Sequence, residues 1–218
     1  MQEILDIAKQ KYSDELGWRF TLFELITFAI YLSTFEILIS KSPSSLLLLE
    51  LLSLKLIDFI IWEDSLIANS KVGSLLLSLI ATIITVRAYH HVSFFFFQAF
   101  SRVSGLRTYV ERLLNKEENR PEPHGAKLIY AVNNARKKRE HFMKGIASLN
   151  GLGLISITLL LVGASSFAHG ISAGALSVFV PLLILIGIQW LVFSRYIKKI
   201  IPLLVIENRL VGETSNSI

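Results

Sequence analysis

Two carboxylates, Glu24 and Glu36, stand inside long apolar runs of the chain, as do Arg87 and the adjacent histidines His90 and His91. Ionisable groups at bilayer depth are costly and mark ion pathways or proton relays by default. Glu24 and Glu36 are 12 residues apart, which separates them by about 120° around a helix. Each reads either as a pore-lining or proton-relay carboxylate, or as a group near a membrane face paired with a base such as Arg87 or Arg19. His90 and His91 point about 100° apart on a helix, so they cannot chelate one metal together; that needs i, i+3 or i, i+4 spacing. They suit interface anchoring, with pH sensing as the functional alternative. The chain has no cysteine, which excludes disulfides, thiolate zinc sites and cysteine nucleophiles. Phosphate-binding loop, zinc-protease and serine-hydrolase motifs are absent as well. The expectation is no enzyme, no catalytic residue, no metal and no cofactor.

The elements that must hold these groups follow from hydropathy. Of 218 residues 52% are hydrophobic and only 18% charged, and the mean hydropathy of +0.55 is that of a membrane protein. A bilayer core of about 30 Å needs roughly 20 apolar residues in a helix. Residues 145–167 and 171–194 contain no charge and form a transmembrane hairpin across a short link. Residues 18–40 make a first span despite Glu24 and Glu36, and 69–87 a second. Residues 42–64 are also apolar, but Glu50, Lys55 and Asp58 lie deep within them, at about 2.5–3.5 kcal/mol each at a bilayer centre. The segment 41–68 is therefore expected to be amphipathic or re-entrant at the outer face. Residues 1–17, acidic and without a cleavage pattern, are expected to form a cytoplasmic amphipathic helix.

Basic residues give the orientation. Eleven of the 22 Lys and Arg lie between Arg102 and Lys144, so the central region 88–144 is cytoplasmic, as is the tail 195–218 with Arg195, Lys198, Lys199 and Arg209. Arg87 then falls at the cytoplasmic boundary, where it can snorkel to lipid phosphates. Beyond it Tyr89, Val92, Phe96, Ala99, Val103, Leu106, Val110 and Leu113 recur in steps of three and four, an unbroken heptad seam. Pro121, Pro123 and Gly125 stop that helix, and a second seam returns through Leu128, Val132, Ala135, Arg139, Phe142, Ile146 and Leu149. The predicted fold class is all-α: a polytopic membrane protein with four transmembrane helices and a cytoplasmic antiparallel helical hairpin. Arg139 within the seam, and the additional Phe94, Phe95 and Phe97, imply that more than two helices meet there, supplied by the N-terminal helix or by neighbouring subunits. Ala147 and Gly151 are a small-residue pair suited to close packing, and Pro181 should kink the last span or loosen a hydrogen bond.

Arg136, Lys137, Lys138 and Arg139 read as a basic cluster at lipid headgroups. With His141, Arg136 has the Arg-x4-His spacing of the HEPN ribonucleases, but i and i+5 are poorly aligned on a helix and that family's soluble body is not evident. No nucleic-acid recognition module is present either. The layout resembles the small multi-span membrane subunits and effectors of bacterial antiphage systems. "ANSKVGSLLLSL", 68–79, resembles the opening of the first span in their cyclic-nucleotide-triggered effectors, with Asn69 in place of the usual acid. The resemblance implies an oligomeric inner-membrane protein, with lipid, further copies of itself and a cytoplasmic protein as partners, that senses or alters membrane integrity. An immunity protein against a pore-forming toxin, and a channel or transporter subunit, are the alternatives. In this cysteine-free chain, single cysteines at 122 and 169 give the topology: impermeant thiol reagents in intact cells label position 169 and leave 122 unlabelled until the cells are opened.

Overall fold

The structure is a computed structural model that describes residues 22–40, 70–103, 105–119, 126–165 and 171–215. Its regular elements are helices: α1 (Leu22–Ser40), α2 (Val72–Val103), α3 (Leu106–Glu118), α4 (Ala126–Ser165), α5 (Ile171–Arg195), a π turn (Tyr196–Ile200) and α6 (Ile201–Ser215). Among the described residues three stretches, Val72–Arg102, Tyr130–Ala164 and Ala175–Arg209, are long and apolar enough to cross a membrane. The expected helix at 1–17, the outer segment at 41–68, the turn at 120–125 and the link at 168–170 lie outside the described residues.

The described chain divides into two compact units, one holding 22–40, 70–91 and 151–188, the other 92–150 and 189–215. In the first, Tyr31 and Val162 are buried together, with Ile30, Phe35 and Ala81 packed on them. Its outward faces are aliphatic: Leu76, Ile80, Ile83 and Ile84 on α2, and Leu176, Phe179, Leu183 and Ile184 on α5, are all exposed. Hydrophobic burial in water would turn such residues inward; here they form a surface suited to lipid or to another apolar helix. Two helices of this unit meet at backbone distance. Pro181 cannot donate a hydrogen bond to the carbonyl of Ser177 one turn earlier, and Gly163 on α4 lies against that carbonyl, where a Cβ would come within 2.5 Å of its oxygen. Gly151 likewise sits directly on the ring of Phe23, whereas Ala147, expected to pack with it, is exposed.

The second unit is organised by aromatic rings. Phe97 packs edge-on against Phe193 and Tyr196 at 5.5 and 5.6 Å, and Phe100 against Trp190 at 5.3 Å. Beside them the buried Gln189 donates from Nε2 to Ser93 Oγ at 2.9 Å. The π turn follows, closed by the N–H of Ile201 on the carbonyl of Tyr196. Its cause is in the sequence: Pro202 has no N–H and its ring crowds the carbonyl four residues back, so the helix widens ahead of it. Tyr196 and Ile200 point inward while Lys198 and Lys199 stay exposed.

Two expectations are corrected. The seam through Tyr89 and Leu113 is not one helix: α2 ends at Val103 and α3 begins at Leu106, with Gly105 between them at φ 61°, a left-handed conformation that ends a helix with little strain only at glycine. Its phase also differs. Ser93 and Phe97 are buried, while Val92 and Phe96 are only half-buried, because Gln189 gives a serine a partner inside and so removes the reason to turn it out. On α3, Leu106 and Val110 are buried as the seam predicts, with Leu113 half-buried. Within the segment expected as the tail, α6 packs against α3 and buries Ile201, Leu204 and Val205. On α4, Ala135 and Ile146 are buried and Val132 and Phe142 half-buried.

Gly163→Val drives a branched side chain into backbone that has no rotamer to move, and lowers stability by about 1–3 kcal/mol. Gly187→Ala, a site with open space around it, changes stability by less than about 1 kcal/mol. Denaturant titration of both variants in detergent checks the contrast.

Candidate functional site

Hydroxyls line the interior of the first unit. On α2, Ser74, Ser78, Thr82 and Thr85 succeed one another at steps of four, four and three, and all are buried. That spacing is one helix face, lying opposite the exposed aliphatic face of the same segment. Thr27, Tyr31 and Thr34 form the matching face of α1, with Ser33 beside them, and Ser156 and Thr158 are buried on α4.

Donors and acceptors in this seam can be assigned. Thr34, Ser78, Thr82, Thr85, Ser156 and Thr158 each donate to the carbonyl four residues back, at 2.6–2.9 Å. A hydroxyl has one proton and two lone pairs, so each of these oxygens is left facing the seam as an acceptor. Tyr31 Oη lies 2.6 Å from Thr85 Oγ1; with the threonine proton committed to Ala81 O, the phenol is the donor. Thr158 Oγ1 lies 3.5 Å from Thr27 Oγ1, a longer contact than the 2.8 Å to its own helix. Ser74 is different. Its Oγ is buried without a hydrogen-bond partner, because it stands in the first turn of α2 and the residue four back, Ser70, precedes the helix.

Such a stripe can do two things in a membrane. It can hold helices together through interhelical hydrogen bonds, or it can give water or a small cation a run of oxygen ligands in place of hydration. Hydroxyls are weak nucleophiles without a neighbouring base; among the described residues no group of three His, Cys, Asp or Glu converges to hold a metal ion.

The two candidate carboxylates lie near helix ends. Glu36 Oε1 accepts the backbone N–H of Lys71, at 3.3 Å, just before α2. A carboxylate there satisfies a donor that the helix cannot and meets the positive end of its dipole. Glu24 is half-buried in the first turn of α1, at the same kind of position. Arg87 and His91 are exposed and His90 half-buried on α2. The basic cluster splits: Lys137 and Lys138 are exposed, whereas Arg136 and Arg139 are both directed at Glu207 of α6. The third helix required by Arg139 is thus the C-terminal one.

Sequence reasoning passed over the hydroxyl seam and Glu207. The seam was visible as Ser and Thr at helical spacing within "SLLLSLIATIIT"; Glu207 sits in a stretch read as tail and had no local signal. No family model, curated protein or solved structure matches the chain.

The donor assignment makes an asymmetric prediction for the Tyr31–Thr85 pair. Tyr31→Phe removes a donor from an oxygen already bonded to its own helix and costs about 0.5–1.5 kcal/mol; Thr85→Val strands a buried phenol proton and costs about 1–3 kcal/mol. Unfolding of the two variants in the same detergent gives the order.

Proposed function

We propose that this chain is a non-enzymatic, self-associating membrane protein of the bacterial inner membrane that senses or alters the permeability of the bilayer and conveys that state to a cytoplasmic partner. The observation that carries the reading is the sorting of the first unit: aliphatic side chains outside, hydroxyls inside, the reverse of what water selects. In this reading the hydroxyl seam is the polar element of the membrane part, and the seam oxygens that keep an open lone pair suit water or a monovalent cation.

The reading includes the four-span topology with both ends inside. Charge distribution sets its cytoplasmic borders near 87/88, 144/145 and 194/195, and the division into compact units falls at 91/92, 150/151 and 188/189. Residues 92–150 and 189–215 then form the cytoplasmic part, with exposed Lys137, Lys138, Lys144 and Lys198 suited to an anionic bilayer surface. The antiphage setting rests on the resemblance over 68–79.

Induction of the chain in cells with a potential-sensitive dye tests the proposal. Depolarisation is expected, attenuated by Ser78→Ala with Thr82→Val and unchanged by Ile83→Leu on the outer face; purified protein runs as a homo-oligomer. A monomer that leaves the potential untouched, or a seam variant as active as the outer-face control, overturns it.

A further inference from the structure

Two arginines converge on one carboxylate in the second unit, with a lysine on the neighbouring ring. Arg136 and Arg139 project from α4 one turn apart, and each faces a different oxygen of Glu207: Arg139 Nη1 bonds Oε2, and Arg136 Nε stands 3.6 Å from Oε1. Phe142 is the next position on that face, and Lys199 Nζ lies 5.6 Å from its ring centroid. The side chains of Glu207 and Arg139 are 12% and 16% exposed, while Arg136 is 54% exposed. Glu207 therefore brings one negative charge to a half-closed site that holds several positive ones. At 3.6 Å Arg136 is within Coulomb range but beyond a good hydrogen bond, so most of its donor fork is unused by this partner.

We propose that Arg136 and Arg139 form a phosphate-binding fork, and that Glu207 is its internal surrogate ligand, displaced when a phosphomonoester arrives. The chemistry favours exchange. A phosphomonoester carries up to two negative charges and three acceptor oxygens, matching two guanidinium groups better than a carboxylate that serves each of them with one oxygen. Entry is through the exposed Arg136, past Lys137 and Lys138. Because Glu207 belongs to α6, its expulsion removes an ion-pair anchor of α6 on α4, so occupancy is reported as movement of the C-terminal helix. The ligand is either a lipid headgroup or a soluble phosphate. This inference stands on the second unit alone and does not depend on whether the hydroxyl seam conducts.

The test uses the full chain in nanodiscs, with Asn133→Cys and Asn208→Cys, both at exposed positions, carrying spin labels for distance measurement. In phosphatidylcholine discs, glycerol phosphate lengthens the distance if the source is soluble; phosphatidic acid in the discs, against phosphatidylglycerol, lengthens it if the source is a headgroup. Either result supports the fork. Glu207→Gln tightens the binding of the effective phosphate probe by about tenfold, by removing the competitor that occupies the site. Arg136→Gln with Arg139→Gln abolishes the response, and Arg139→Lys, which keeps charge but loses the fork, weakens it. The proposal is overturned if neither probe changes the distance, if chloride at matched ionic strength changes it equally, or if Glu207→Gln leaves affinity where it was; the last outcome makes the clasp an ordinary ion pair.

Discussion

Every hydroxyl proton buried in the first unit needs an acceptor within reach, because an unpaired polar group in an apolar interior forfeits the hydrogen bond that water would have given it. Helical backbone supplies one at each turn, and seven buried hydroxyls of the unit use the carbonyl four residues back. This satisfaction is local, so it constrains the rest. Oxygens keep lone pairs facing inward, aliphatic neighbours face outward, and α1, α2 and α4 are brought together by residues that carry no charge. Tyr31 is the member that reaches across, joining α1 to Thr85 of α2, and its ring also packs on Phe35.

The second unit solves a different problem with different residues. Its helices carry most of the chain's cations, and its interior is aromatic. Edge-to-face rings need no hydrogen-bond partners and tolerate neighbouring charge, which allows Lys199 to lie over Phe142 within a turn of Arg139. The few polar groups buried there are paired individually, Gln189 with Ser93 and Arg139 with Glu207. Gly105 sets where the rod of α2 stops; its positive φ lets α3 leave in a new direction and reach α6.

Much of this was legible in the chain itself. Long uncharged runs and their lengths gave the membrane-capable helices, since hydropathy over 20 residues overwhelms local preference. The position of Arg139 in an apolar seam pointed to a further helix, expected from the N-terminus or a neighbouring subunit; the one that meets it is the C-terminal helix. Phase was harder. A period of three and four fitted Val92 and Phe96 by apolar character, yet Ser93 and Phe97 go inside, a choice made by a glutamine 96 residues further on. The tail posed a similar problem: Ile200, Ile201, Leu204 and Val205 are buried, yet Glu207 beyond them finds its arginines on a helix about 70 residues earlier. Long-range partners decide what a short window cannot.

The π turn at Tyr196–Ile200 also makes this helix a frame-sensitive element. A wide turn holds one residue more than a regular helix requires there, so removal of a single residue could be absorbed by tightening the turn to ordinary α geometry, leaving hydropathy and length almost untouched. Beyond the turn there is no such slack: loss of one residue swings everything that follows by about 100°, carrying Glu207 off the face that now meets α4. In this stretch one codon more or less therefore counts for more than most substitutions, and the register of the last helix is a property of spacing as much as of side-chain identity.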